Sequence, residues 1–370
     1  MTMSKNTGLL AFSITATFYF SFFSGYLSST IPGYFFAVIS ILLTKGPIKF
    51  TLQQYIVLIV TFSYFAFLIT FSDSSIIVLK NIRYWFGIII FIIFFTRISS
   101  FDFFTTRLFR ALCYLVILEY FILFFFGVGQ QDFKAPTVIV NQFRPLGLVS
   151  NASMSSALMC ILFLLTEIQS NKKMEKFDFL LLALTILLLQ SGVGVLIFFL
   201  VLFIRMKFNR YLFKVNLKNA GLILAVLIAV IIMLQMDQRV HQKFSLEYYY
   251  LVLGSKLTQF LNEVGSINFF SLIGTIINDD VPSTSGDFGW LIFLQTMGSV
   301  GLVLYFLILT VFYNSHYEYK PILILLLIST FHYPVLMTQT GQLIGAYAFV
   351  FLSNSPKNKN LISKQVLTKS

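Results

Sequence analysis

The sequence is 370 residues long, of which 58% are hydrophobic, 18% aromatic and only 11% charged. A chain of that length with so few polar groups cannot cover a soluble globule, so the composition excludes an ordinary water-soluble enzyme and points to an integral membrane protein. The net charge of +12 is no argument for nucleic acid, because the basic residues are spread over short loops and not gathered in one patch.

The first apolar run, Leu9 to Phe23, has a weak basic flank and no small-residue cleavage site, and reads as a retained helix and not a removable signal peptide. Apolar runs able to cross a hydrocarbon core of ~30 Å recur from there on. They predict about 12 helices, at roughly 8 to 23, 30 to 44, 53 to 71, 75 to 96, 107 to 128, 149 to 169, 177 to 190, 191 to 206, 219 to 236, 287 to 313, 319 to 335 and 340 to 352. The second, seventh, eighth and last are short. The expected fold is therefore an all-α polytopic bundle, a single transmembrane domain over residues 1–370 with one large outer loop over 237–286 and no separate polar domain. Cys113 and Cys160 fall inside apolar runs and read as buried core residues, not as a disulfide or metal ligands.

The basic residues orient this map. Lys5, Lys45, Lys49, Arg97, Arg107, Arg110, Lys172, Lys173, Lys176, Arg205, Lys207, Arg210, Lys214, Lys218, Lys320 and the tail lysines fall on one side, about 19 of the 26 in the chain, and loops so enriched stay in the cytoplasm. Both termini share that side. Lys80, Arg83, Lys134, Arg144, Arg239, Lys243 and Lys256 stand on the outer side, against the bias.

Two outer loops are long, and long connectors are where function concentrates. One runs from about Gly127 to Gly147 and ends in QFRPLGLVSNASMSSALM; the other, Asp237 to Gly286, holds DQRVHQKFSLEYYY and NDDVPSTSGDFGW. Between these pieces, Leu253, Leu257, Phe260 and Leu261 have the spacing of a short amphipathic helix at the membrane interface, either a cover over a cavity or a helix that packs the loop down.

Arg83 lies a few residues into the fourth helix, Arg144 just before the sixth and Arg239 just after the ninth. Each alone fits an arginine snorkelling to the interface. Three on one side of one bundle favour anion binding, since a guanidinium at such depth needs an anion and its planar fork suits phosphate. Pro145 and Gly147 break the start of the sixth helix, where Ser150, Asn151 and Ser153 offer short polar side chains and free amides also attract anions. Glu119, in CYLVILEYFILFFF, is either functional or a hydrogen-bonded structural carboxyl. His332, beside Pro334 at the outer end of the eleventh helix, is a proton acceptor or a packed polar residue. His241 reads as loop polarity, and His316 lies on the cytoplasmic side. No metal site is expected; Asp279, Asp280 and Asp287 form the one weak acidic group.

With these residues in view, the chain resembles the Wzy-type polysaccharide polymerases, the membrane enzymes that polymerise O-antigen or capsule repeat units and are related to the O-antigen ligases. The likeness is architectural over most of the chain and local in three places: QFRPLGLVSNASMSSALM, LLLALTILLLQSGVGVLIFFLVL and SGDFGWLIFLQTMGSVGLVLYFLIL. Two departures matter. Many relatives carry an arginine after the serine of the second stretch, whereas Ser191 is followed here by Gly192 and Val193, so any pyrophosphate contact must come from elsewhere. The ligase branch has a histidine late in the long loop, whereas this loop has only His241 at its start, which favours polymerase.

The resemblance implies a bacterial inner-membrane glycosyltransferase without a cofactor. It would join undecaprenyl-diphosphate-linked oligosaccharides at the periplasmic face, alongside a flippase and a chain-length regulator of the same pathway. In that reading Arg144, Arg239 and Arg83 bind the diphosphate, and Asp287, Asp280 and His332, in that order, are candidates for the base that takes the acceptor hydroxyl's proton. Two other classes compete. A lipid-linked oligosaccharide flippase would use a similar cationic cavity, but the halves show no internal similarity and the long late loop suits a static outward site. An ion-coupled transporter would rest on Glu119 alone.

Overall fold

In the computed structural model of the chain, the described residues are 5–24, 27, 29–44, 50–71, 75–98, 104–126, 145–149, 151–170, 174–208, 289–312 and 320–350, with a few between 247 and 273. Among them the chain is helical, with no strand. The helices are α1 (Lys5–Phe22), α2 (Ile31–Leu43), α3 (Leu52–Phe71), α4 (Ser75–Arg97), α5 (Thr106–Phe126), α6 (Ala152–Ser170), α7 (Lys176–Leu189), α8 (Gly192–Phe208), α9 (Gly289–Val311), α10 (Lys320–His332) and α11 (Gln339–Val350). Short 3-10 turns occupy Gly147–Val149 and Val335–Met337. The helix expected at 219 to 236 lies outside the described residues, as does most of the loop 237–286. Within that loop the described residues from 247 to 262 are helical, and Leu257 and Leu261 are exposed, as an interfacial helix requires; Leu253 and Phe260 are not described.

Three helices differ from the sequence reading, two at a boundary and one within, each for a local reason. The helix expected from 149 begins at Ala152, because Gly147 has φ 70 and starts a separate turn. The helix expected to reach 335 stops at His332, since Pro334 disfavours helical backbone in the residue before it. The run expected at 287 to 313 is bent at Gly298, whose φ of 67 and ψ of 178 lie in a region open essentially to glycine. The carbonyl of Met297, beside that bend, accepts the Tyr64 hydroxyl of α3 at 2.9 Å.

By contacts the chain forms two compact units, one of Met1–Phe103 with Asn262–Ser370 and one of Phe104–Leu261. In the first, α11 is the centre. Every residue from Gln339 to Val350 is buried, with α1, α4 and α10 against it. Phe95 of α4 meets Tyr347 edge-on at 5.0 Å, and α1 joins α2 through the Ser40 hydroxyl, which donates to Ser13 Oγ at 2.9 Å, and through stacked Phe20 and Phe36. In the second unit α6 is the buried helix, with Ala157 to Leu165 inaccessible and α5, α7 and α8 around it.

One end of the second unit is tied by charge. Arg110, in the first turns of α5, reaches the buried carboxylate of Asp178 through Nε and Nη2 and Glu175 Oε2 at 3.0 Å, while Glu175 and Asp178 form the capping box that starts α7. The helices α3, of 20 residues, and α5, of 21, are long and apolar enough to cross a membrane, and the apolar stretches described in the other helices, such as Phe86–Arg97 of α4 and Met297–Val311 of α9, are shorter. Much of their apolar surface is uncovered: Ile56, Ile59 and Phe62 of α3 and Leu118, Phe121 and Phe125 of α5 are all exposed.

Candidate functional site

In the second unit the segment before α6 is a built turn. Glu119, near the middle of α5, accepts the N–H of Leu146 at 2.8 Å on Oε1 and the N–H of Gly147 at 3.1 Å on Oε2. The positive φ of Gly147 aims the two successive amides at one carboxyl, the geometry of an anion-binding nest with an internal occupant. A Cβ on Gly147 would lie 2.6 Å from Ser155. The Ser155 hydroxyl donates to the Leu146 carbonyl at 2.8 Å and accepts the Val149 N–H at 3.3 Å.

Asn151 then caps α6, its Oδ1 accepting the amides of Ser153 at 3.0 Å and Met154 at 3.1 Å. The expectation that free amides on this first turn attract an anion is therefore corrected. Asn151 has taken them, and Glu119 has taken the two before. An anion beside this turn would have to compete with Asn151 and Glu119 for those four amides.

The break between α7 and α8 docks against the same helix. Gln190 ends α7 in the left-handed region at φ 49, and Ser191 opens α8 by accepting the Gly194 N–H at 3.1 Å. A Cβ on Gly194 would strike Ser156 of α6, and Cys160 lies 3.8 Å from the Gly194 carbonyl, so small residues let the two backbones approach closely. Leu189, the last residue of α7, is buried with Val116 of α5 and Ala152 of α6. Ser191 is thus engaged in capping α8.

In the first unit a polar cluster gathers around Arg83, which is exposed and lies just over two turns into α4. Its Nη1 stands 3.4 Å from the Thr30 hydroxyl at the start of α2. The Arg83 carbonyl accepts Gln342 Nε2 at 3.2 Å, and Gln342 Oε1 accepts the Tyr34 hydroxyl at 2.5 Å. Gln339 donates to the Thr30 carbonyl at 2.8 Å, and Thr340 to the Ser21 carbonyl at 2.7 Å. Gln339 Oε1 and Ser21 Oγ are buried without hydrogen-bond partners.

Of the residues singled out from sequence, Arg83 is thus seen in full. His332 is the last residue of α10, described for its backbone only. Arg144, Arg239, Asp280 and Asp287 lie outside the described residues. Tyr34, Thr30, Gln339 and Gln342 escaped the sequence reading. The signal for Gln339 and Gln342 was TQTGQ, four polar side chains opening a segment otherwise apolar, where each needs a partner. Among the described residues no group of three His, Cys, Asp or Glu side chains could hold a metal. Comparison with protein-family models, with curated proteins and with solved structures finds no match.

Proposed function

We propose that the chain is a polysaccharide polymerase, a membrane glycosyltransferase that joins undecaprenyl-diphosphate-linked oligosaccharide repeat units at the periplasmic face of the bacterial inner membrane in O-antigen or capsule biosynthesis. The observation that carries this reading is an arginine, Arg83, exposed at the outer side of the sequence map and supported by buried amides from α11 in an otherwise apolar bundle. The outward apolar faces of α3 and α5 support a membrane setting. The all-helical character of the described residues supports a helical bundle, for which about 12 spans are proposed, and the Arg110 ion pairs join two helix starts that the basic-residue rule assigns to the cytoplasm.

In the reaction so proposed, the acceptor hydroxyl oxygen bonds to the anomeric carbon of the donor sugar and the bond from that carbon to the diphosphate breaks. The hydroxyl proton passes to a base, with Asp287, Asp280 and His332 as candidates in that order. The lipid diphosphate leaves with the electron pair, its charge met by Arg144, Arg239 and Arg83. Guanidinium groups fixed before the bond breaks stabilise that developing charge without reorganising, and they do so without a metal. A flippase and a chain-length regulator are the expected partners.

Deletion of the gene followed by gel analysis of surface glycan tests the reading. A ladder reduced to single repeat units supports a polymerase. Loss of all glycan with lipid-linked units held inside identifies a flippase, and intact chains left on the lipid identify a ligase. Topology is tested separately: a phosphatase fused near Ser283 is expected to be active and one near Asn209 silent, and the reverse would overturn the outer-face assignments.

A further inference from the structure

We propose that Gln342 is a positioning residue for Arg83, acting with Tyr34 and with the space left by Gly87. The amide of Gln342 is buried and used at both ends, joining the Tyr34 hydroxyl of α2 to the Arg83 carbonyl of α4. Gly87 follows Arg83 by about one turn, and a Cβ there would fall on Gln342 Oε1 and on the Tyr34 hydroxyl. Only a residue without a side chain admits this bridge between α2, α4 and α11.

Gln339 stands three residues earlier on the same face of α11 and fixes the other flank. It holds the Thr30 carbonyl, and the Thr30 hydroxyl faces the guanidinium. Backbone and side chain of Arg83 are thus both referred to α11, the most buried helix of the unit. Amides serving only to join helices had many pairs of apolar neighbours to link. These converge on the segment that carries an exposed cation, the arrangement by which supporting residues hold a binding group in a fixed place.

The ligand in this inference, a lipid diphosphate, rests on the polymerase reading; the geometry does not. The test uses the full chain in lipid nanodiscs with undecaprenyl diphosphate as the probe. Gln342→Leu keeps bulk and removes both hydrogen bonds. It is expected to weaken binding by about 10-fold, and Arg83→Ala by at least as much, while the double variant binds no more weakly than Arg83→Ala alone. Additive losses, or a lower melting temperature with unchanged affinity, would show a glutamine that only joins helices and would overturn the proposal. If Gln342→Leu does not fold, Tyr34→Phe removes one hydroxyl, keeps the ring against Phe91, and enters the same cycle with a smaller expected loss.

A second readout needs no ligand. Arg83→Cys is labelled in intact cells with a membrane-impermeant maleimide, against a quiet background because Cys113 and Cys160 are buried. Adding Gln342→Leu is expected to change the labelling rate several-fold, and an unchanged rate overturns the positioning role. A changed rate in a protein whose parent form does not bind the diphosphate upholds the positioning of Arg83 and overturns the polymerase reading.

Discussion

The turn before α6 and the cluster around Arg83 are both polar islands in apolar helices, yet they direct their polar atoms differently. In the turn, Glu119, Ser155 and Asn151 all bond to backbone between Leu146 and Met154, and the hydrogen bonds close on one another. Around Arg83 the buried amides hold the element that bears the cation, and the cation itself stays exposed. A network that closes on its own backbone is a frame: its hydrogen bonds fix geometry. A network that ends on an exposed charge is a mount. If the chain binds a diphosphate, the turn sets where the neighbouring chain starts, and the arginines do the binding.

The largest effect expected from this division belongs to Arg144, joined directly to Pro145 at the start of the frame. If the chain is the proposed polymerase, Arg144→Ala is expected to lower polymerisation by about 10²-fold or more, the usual loss when a pre-placed donor is removed from a transition state. Arg144→Lys keeps the charge but loses the fork and is expected to be markedly impaired. Arg239→Ala is expected to match Arg144→Ala, and Lys134→Ala to be tolerated. The glycan ladder is compared at equal protein levels in the membrane, and a full ladder from Arg144→Ala would end the role assigned to the arginines.

Next in size is the frame itself. Glu119→Ala leaves two partly buried amides and a gap where a carboxyl stood, with an expected loss of about 1–3 kcal/mol of stability, the cost of orphaning a buried polar group. Glu119→Gln retains one acceptor and sets an NH2 against the other N–H, so its loss should be smaller but clear. Thermal unfolding in detergent measures both. A Glu119→Ala protein as stable as its parent would mean the turn holds without its carboxylate.

How far the sequence could foresee these two regions follows from what each depends on. The described helices were legible where apolar run length sets them, whereas the bridge from Arg110 to Asp178 and Glu175, which joins the starts of α5 and α7, depends on packing. The kink at Gly298 was hidden, since a glycine within an apolar run is common and only the packing of Tyr64 on Met297 marks this one. Glu119 was visible as a carboxyl needing a partner, but its partners are backbone amides, which every residue has and no sequence pattern advertises. Gln342 was missed because its meaning depends on Tyr34 and Gly87, respectively 308 and 255 residues away in the chain.

Gly147→Ala probes the same frame through backbone alone. An alanine at φ 70 carries a strain of roughly 1–2 kcal/mol, and its Cβ would also press on Ser155 at 2.6 Å. Gly8→Ala is the control: its Cβ would meet nothing within 4 Å, and in a helix interior alanine is favoured over glycine by up to about 1 kcal/mol. Opposite signs for the two substitutions in thermal unfolding are the expected result. Equal effects would show that Gly147 is not held in its left-handed conformation.

The smallest effect belongs to the cap. Asn151→Ala frees the amides of Ser153 and Met154 and should cost about 1 kcal/mol, the typical value for losing an N-cap side chain, whereas Asn151→Asp keeps the acceptor and should be near neutral. The pair separates two views of this helix start. If its amides matter only to the fold, Asn151→Ala lowers the melting temperature slightly and leaves binding of undecaprenyl diphosphate within about twofold, because Glu119 and Ser155 still hold the segment before a loosened first turn. If those amides hold an anion when it is present, Asn151→Ala would strengthen diphosphate binding by removing the competing side chain, and Asn151→Asp would weaken it by adding a like charge. Tighter binding by Asn151→Ala would restore the helix start as a ligand site and abolish the contrast between frame and mount.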